Sequence, residues 1–173
     1  MAVSLMSLRM SSIVPIEQGR PLTFQQNIQA VPELAKAYQP GLKALRAVDR
    51  ALISISQPRS LAGSVNLDKA LKKRCPTNSR WDYGIGKRCG NTEEAIWVEV
   101  HSANAGHVLE IIHKMQWLQS WLKTNATQLL AITRRMNGYV WLSTGTVSLQ
   151  QGSWQAKSLA QAGVSFPREH LVL

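Results

Sequence analysis

Apolar residues recur along this chain at different spacings, and the changes between them mark out its elements. From Ala105 to about Lys123, the residues Val108, Ile111 or Ile112, Met115, Leu118 and Leu122 keep the 3.6-residue period of a helix that buries one side. Leu42, Leu45, Val48 and Leu52 keep it as well, with Lys43, Arg46 and Arg50 elsewhere around the turn. That spacing predicts an amphipathic basic helix from Leu42 to about Ile55, broken by "QPRS" at 57–60. Leu34 to Tyr38 suits a short helix opened by Pro32 and ended by "QPG" at 39–41. Ser64 suits the cap of a helix through Arg74, stopped ahead of Cys75-Pro76.

Elsewhere the pattern is strand-like. Arg80 to Ile85 and Ala95 to His101 read as two strands joined through "GKRCGNTEE". The second, with Ile96, Trp97, Val98 and Val100, reads as buried on both faces. "LLAIT" at 129–133, "GYVWLSTG" at 138–145, "VSLQ" at 147–150 and the terminal "HLVL" read as further strands. A helix from Ser153 or Trp154 to about Gln161 would be closed by Gly163. Residues 1 to about 30 keep no period, and Pro15, Gly19 and Pro21 mark a loop or arm. The order of elements predicts an α/β protein with a mixed central sheet flanked by helices. At 173 residues it fits one folded core at 61–173, preceded by an arm and basic helical segment at 1–60.

Charge adds a partner class. The net charge is +10, and between Lys43 and Arg88 eleven basic residues face three acids. A chain this basic is expected to seek a polyanion, and nucleic acid is the expected partner. Lys72, Lys73, Arg74, Lys87 and Arg88 are the candidate phosphate contacts. Two cysteines, Cys75 and Cys89, are too few for a disulfide framework and are expected as free thiols. No apolar run is long enough to cross a bilayer, and the start lacks the layout of a signal peptide, so no membrane partner and a cytoplasmic location are expected.

The candidate chemistry sits in "RWDYGIGKRCGNTEEAIWVEVH" at 80–101. A carboxylate inside a strand costs folding energy unless something pairs with it. Here each of two neighbouring strands carries one, Asp82 and Glu99, and His101 follows on the same face as Glu99 by strand alternation. If the strands pair, the three side chains converge. Mg²⁺ or Mn²⁺ takes carboxylate oxygens and retains several waters, so two or three protein ligands suffice.

With these residues in view, the chain resembles the PD-(D/E)xK nuclease superfamily over about 64–145. The matching parts are a helix, a strand with an acid at Asp82, a strand with Glu99-Val100-His101 in the ExK position, a long helix and a further strand. The resemblance implies that Asp82 and Glu99 hold the metal and that Asp68 is the acid some members place on the preceding helix. His101 stands where lysine is usual, as a ligand or base, and Lys114 on the next helix is the candidate for the missing positive charge. The function implied is metal-dependent hydrolysis of DNA or RNA phosphodiesters.

Other readings of the same residues stand beside this one. Asp82 with Arg80, and Glu99 with Lys87 or Arg88, would make inert ion pairs. The chain would also serve as a non-catalytic nucleic-acid-binding subunit, for which the histidine at 101 speaks. A third reading is a protein-interaction module in which Trp117, Leu118, Trp121 and Leu122 of "WLQSWL" bury a partner or a second copy. His107 and His113 read as surface or interface residues. No glycine pattern suits a P-loop.

Overall fold

The computed structural model describes residues 16–17 and 20–173; the arm expected at the start of the chain lies outside the described residues as far as position 15. In chain order the elements are β1 (Ile16–Glu17), β2 (Arg20–Pro21), α1 (Phe24–Gln29), β3 (Tyr38–Gln39), α2 (Ala47–Arg50), β4 (Ile53–Ser54), β5 (Leu61–Asn66), α3 (Leu67–Leu71), β6 (Tyr83–Cys89), β7 (Thr92–Val100), α4 (Val108–Asn125), α5 (Thr127–Ala131), β8 (Tyr139–Leu142), α6 (Trp154–Ala162) and β9 (Leu171–Val172). The central sheet runs β3-β5-β6-β7-β8. Its first four strands are antiparallel, and β8 lies parallel to β7 after the crossover through α4. The sheet is mixed and flanked by helices, as the periodicity predicts.

The β6–β7 hairpin is longer than its sequence suggests. The sequence reads "GKRCGNTEE" as a connection, but its charged residues pair across the strands, Lys87 opposite Glu94 and Arg88 opposite Glu93. Opposite charges at facing positions stabilise a ladder. Only Gly90 and Asn91 remain as the turn, with Gly90 at φ 61°. At Gly84 a Cβ would stand 2.6 Å from the Trp97 ring, so this position of β6 has room for hydrogen alone.

Two cores sandwich the sheet. One lies under α1, α4, α5 and α6 and includes Phe24, Leu34, Trp81, Trp97, Met115, Leu118 and Trp141. The other holds Leu42, Leu45, Ile53, Tyr83, Ile96, Val98, Leu142 and Leu171. Along β7 the odd positions Ala95 and Trp97 face the first core, and the even positions Ile96, Val98 and Val100 the second. Three of the six tryptophans are core: Trp81, Trp97 and Trp141 are fully buried, and the last two donate Nε1–H to Thr133 Oγ1 (3.0 Å) and the His101 carbonyl (3.1 Å).

Several local expectations are corrected. The segment 42–55 is not one helix but turns, the single-turn α2 and β4, which pairs in parallel with β9. Its Arg46 and Asp49 lock with Tyr83, and Val48, placed by periodicity on the apolar face, is 71% exposed. Leu61–Asn66 is a strand rather than the start of a helix, because it fills the slot between β3 and β6. Asn66, not Ser64, caps the helix that follows, accepting from the Lys69 N–H at 2.8 Å. Leu34–Tyr38 forms turns leading into β3, Phe24–Gln29 is a helix with a Thr23 capping box, "LLAIT" lies largely in α5, and "VSLQ" forms no strand. The expected boundary at residue 60 is not a break in packing, since Phe24, Ile28 and Leu34 belong to one core and Leu42, Leu45 and Ile53 to the other. The helix over 105–123, the α6 helix with Gly163 at φ 89°, the terminal strand and the free thiols follow the sequence reading.

Candidate functional site

Asp82 immediately precedes β6. Because Tyr83 pairs with Val98, Asp82 stands across from Glu99 near the end of β7. The two carboxylates tie the strand ends together: Glu99 Oε2 accepts from the Asp82 N–H at 3.1 Å, and Asp82 Oδ2 accepts from the Val100 N–H at 2.9 Å. Glu99 is 1% exposed and points to the helix-covered face, where the Lys114 ammonium donates to its Oε1. Lys114 itself is nearly buried, with its side chain 14% exposed. Among the described residues Asp82 Oδ1 takes no protein donor.

The electrostatics are unbalanced. Two acids share one ammonium in a site largely removed from water. Burial, followed by repulsion from Asp82, pushes the Glu99 carboxyl up to about 8, and Lys114 offsets only part of that. Asp82 is raised too, chiefly by burial, against the Val100 hydrogen bond and Lys114 that lower it. A carboxyl pair that resists ionisation in this way is short of positive charge.

The structure brings Asp82, Glu99 and Lys114 together. It does not gather the full set named from the sequence. Asp68 is held by Arg80 at 2.9 Å, and Arg80 also donates to the carbonyls of Cys75, Pro76 and Asn78. Arg80 is therefore engaged away from Asp82, and the inert pairs considered for Asp82 and Glu99 do not form. His101 continues past the end of β7, where its ring meets that of His107 at a centroid separation of 4.3 Å. Its Nε2 lies 3.8 Å from Glu110 Oε1. Among the described residues, His101, His107 and Glu110 are the one group of three whose potential ligand atoms all lie within 4.8 Å of one another. Its sequence context places His107 at the surface or an interface, and the structure sets it, half-buried, against His101. The sequence signal for its role is the spacing 107–110, one turn of helix entry, directly after His101.

The basic residues divide as well. Lys72, Lys73 and Arg74 are exposed just after α3, whose first N–H, from Leu67, bonds the Asp82 carbonyl at 2.8 Å. Arg74 reaches Glu33 at 3.6 Å. Lys87 and Arg88 lie at the far end of β6, about 17 and 20 Å from Asp82 at the strand rise of ~3.3 Å per residue. Arg88 there braces Glu93 and the carbonyls of Arg59 and Leu61. A cavity of about 730 Å³ also lies at that far end, between Glu93, Glu94, Arg134 and Arg135. A groove of about 410 Å³ at Asn66 is lined by Lys36, Lys43 and Lys69. "WLQSWL" is mostly core: Leu118, Trp121 and Leu122 are buried, and Trp117, half-buried, stacks on Trp121. The buried three belong to the core and are not available to a partner.

Comparison with protein-family models, curated proteins and solved structures returns no match. Among the described residues no helix is long and apolar enough to cross a membrane.

Proposed function

We propose that the protein is a divalent-metal-dependent nuclease of the PD-(D/E)xK kind, acting on DNA or RNA phosphodiesters. The observation that carries this reading is the pair Asp82 and Glu99, set across adjacent strand ends with Lys114 against Glu99. Lys114 supplies from the helix the positive charge that a lysine at position 101 would otherwise give. The donor set suits a hard cation: two carboxyl groups against a single ammonium in a buried setting, with one Asp82 oxygen that takes no protein donor among the described residues, so that a cation would take the place of the proton held on Glu99.

Asp82 and Glu99 would hold Mg²⁺ or Mn²⁺. When bound, such an ion activates a water and neutralises charge growing on the phosphate. Lys114 holds Glu99 in place and keeps a fixed positive charge beside the reacting group. Lys72, Lys73 and Arg74 bind the substrate backbone on the Asp82 side, and the groove at Lys36, Lys43 and Lys69 extends the positive surface. Lys87 and Arg88 are left to the hairpin and to longer substrates.

The test is cleavage of end-labelled DNA and RNA with Mg²⁺, Mn²⁺ or EDTA, for wild type and Asp82→Ala. Cleavage that needs the metal and vanishes in the variant, with binding retained, supports the assignment. Salt-sensitive binding without cleavage under any metal would return the chain to the class of non-catalytic nucleic-acid-binding subunits.

A further inference from the structure

Beside the carboxylate pair lies a second set of ligands of different chemistry. His101 follows β7, His107 is the last residue before α4, and Glu110 is in the first turn of that helix. Both imidazoles point Nδ1 at one atom, the Ser102 carbonyl oxygen, at 3.2 Å for His101 and 3.0 Å for His107. A carbonyl oxygen only accepts, so in these bonds each Nδ1 carries the proton. A neutral imidazole protonated at Nδ1 has its lone pair at Nε2, and metal-binding histidines are commonly fixed in this way by a carbonyl behind the ring. The Ser102 hydroxyl lies 3.1 Å from His107 Nδ1 and 3.5 Å from His101 Nδ1.

The backbone that presents His101 is itself held. Its N–H donates to Leu142 O at 3.0 Å, and its carbonyl accepts from Trp141 Nε1 at 3.1 Å. The Asn104 side chain accepts from the Gly106 N–H at 2.9 Å and shapes the turn that brings His107 back to His101. Glu110 alone would be explained by its place in the first turn of a helix, where a negative charge suits the dipole. That does not account for two imidazoles with a common acceptor behind them.

We propose that His101, His107 and Glu110 form a binding site for a divalent transition-metal ion of the zinc class, separate from the carboxylate pair. Two imidazoles and one carboxylate suit Zn²⁺ and are poor ligands for Mg²⁺. Three protein ligands leave a position for water or a phosphate oxygen. The site stands whether or not Asp82 and Glu99 act on phosphodiesters.

The experiment is calorimetric titration of Zn²⁺ into tag-free protein: wild type, His107→Gln, Glu110→Gln, Asp82→Asn and a Cys75→Ser/Cys89→Ser double variant. Co²⁺ absorption on the same samples reads the ligand field. Neither His107 nor Glu110 lies in a core, and far-UV circular dichroism confirms the fold of each variant. The expected result is one Zn²⁺ per chain, weakened at least about 10-fold in His107→Gln and Glu110→Gln and retained in Asp82→Asn and the cysteine variant. Absence of Zn²⁺ binding by wild type would overturn the proposal. So would binding that survives His107→Gln or that is lost with the cysteines or with Asp82.

Discussion

Two buried acids lie on opposite faces of the same sheet, and they are treated differently. Asp49, 2% exposed, sits on the face of Tyr83 and Val98. It takes Arg46 Nε at 2.7 Å, Arg46 Nη2 at 3.2 Å and the Tyr83 hydroxyl at 2.5 Å. One negative charge meets one positive charge, and both oxygens are filled. Glu99, on the other face, shares Lys114 with Asp82, so two acids meet one cation. A buried charge that is matched belongs to the fold. A buried charge that is left unmatched costs stability, and such costs concentrate where a ligand is to be received.

The largest effect that separates the two comes from Glu99→Gln. If the site holds a catalytic metal, metal-dependent cleavage falls at least about 100-fold, since a bound cation supplies several kcal/mol of transition-state stabilisation. The same variant melts no lower than wild type at pH 8, because the amide removes the repulsion with Asp82. Loss of activity with a large loss of stability would instead place Glu99 with Asp49, as a structural ion.

Asp49→Ala is the converse. It leaves the buried Tyr83 hydroxyl without its acceptor, and the expected loss is about 1–3 kcal/mol in urea unfolding. Arg46 contributes little to that, since its side chain is 68% exposed and returns to water. Cleavage per folded molecule should not change. If it does, the two faces are coupled through β6.

The sequence made one of these clusters legible and hid the other. Asp82 and Glu99 stand out because acids interrupt two apolar strands, and strand pairing then puts them opposite each other. Lys114 was reachable through the resemblance, but its contact with Glu99 depends on how α4 crosses the sheet. Asp49 lies in a stretch whose spacing of leucines and valine imitates a helix. What overrode that spacing is non-local: Tyr83 arrives from β6 and Leu171 from the end of the chain. The same holds for Leu61–Asn66, where helix-like local signals lost to a slot between two strands. His101 was found by its place after Glu99, but its partners were missed because His107 approaches it through an irregular turn with no period to read.

The pH dependence of stability sharpens the contrast further. The Glu99 carboxyl is raised from an ordinary value of 4.5 to about 8, so between those values the folded state binds more protons than the unfolded state. Stability from this group is therefore full below about pH 4.5 and falls as pH rises toward 8. Melting temperature followed from pH 5 to 8 should decline in wild type and flatten in Glu99→Gln. If Mg²⁺ binds there, it restores part of the loss at pH 8, by about 1.4 kcal/mol when its concentration is ~10 times its Kd. A flat wild-type profile would mean that Glu99 carries no excess charge.

On the other face the sensitive group is a phenol, and the effect is smaller. Burial and the bond to Asp49 raise Tyr83 from 10 to about 12, so the stability it provides is present below pH 10 and lost as pH climbs toward 12. Tyr139 is raised to about 12 by burial as well, and burial with the bond to Glu94 raises the Cys89 thiol, so Tyr83 is one of several sources of the alkaline loss. Tyr83→Phe should cost about 1 kcal/mol at pH 7, because Asp49 retains both Arg46 donors and forfeits one hydrogen bond. It should remove part of the alkaline loss and leave the decline between pH 5 and 8 untouched. Tyr139→Phe added to it should remove a further part. If Tyr83→Phe also alters the decline below pH 8, the two buried acids share one electrostatic network across the sheet, and the division between a matched structural charge and an unmatched functional one fails.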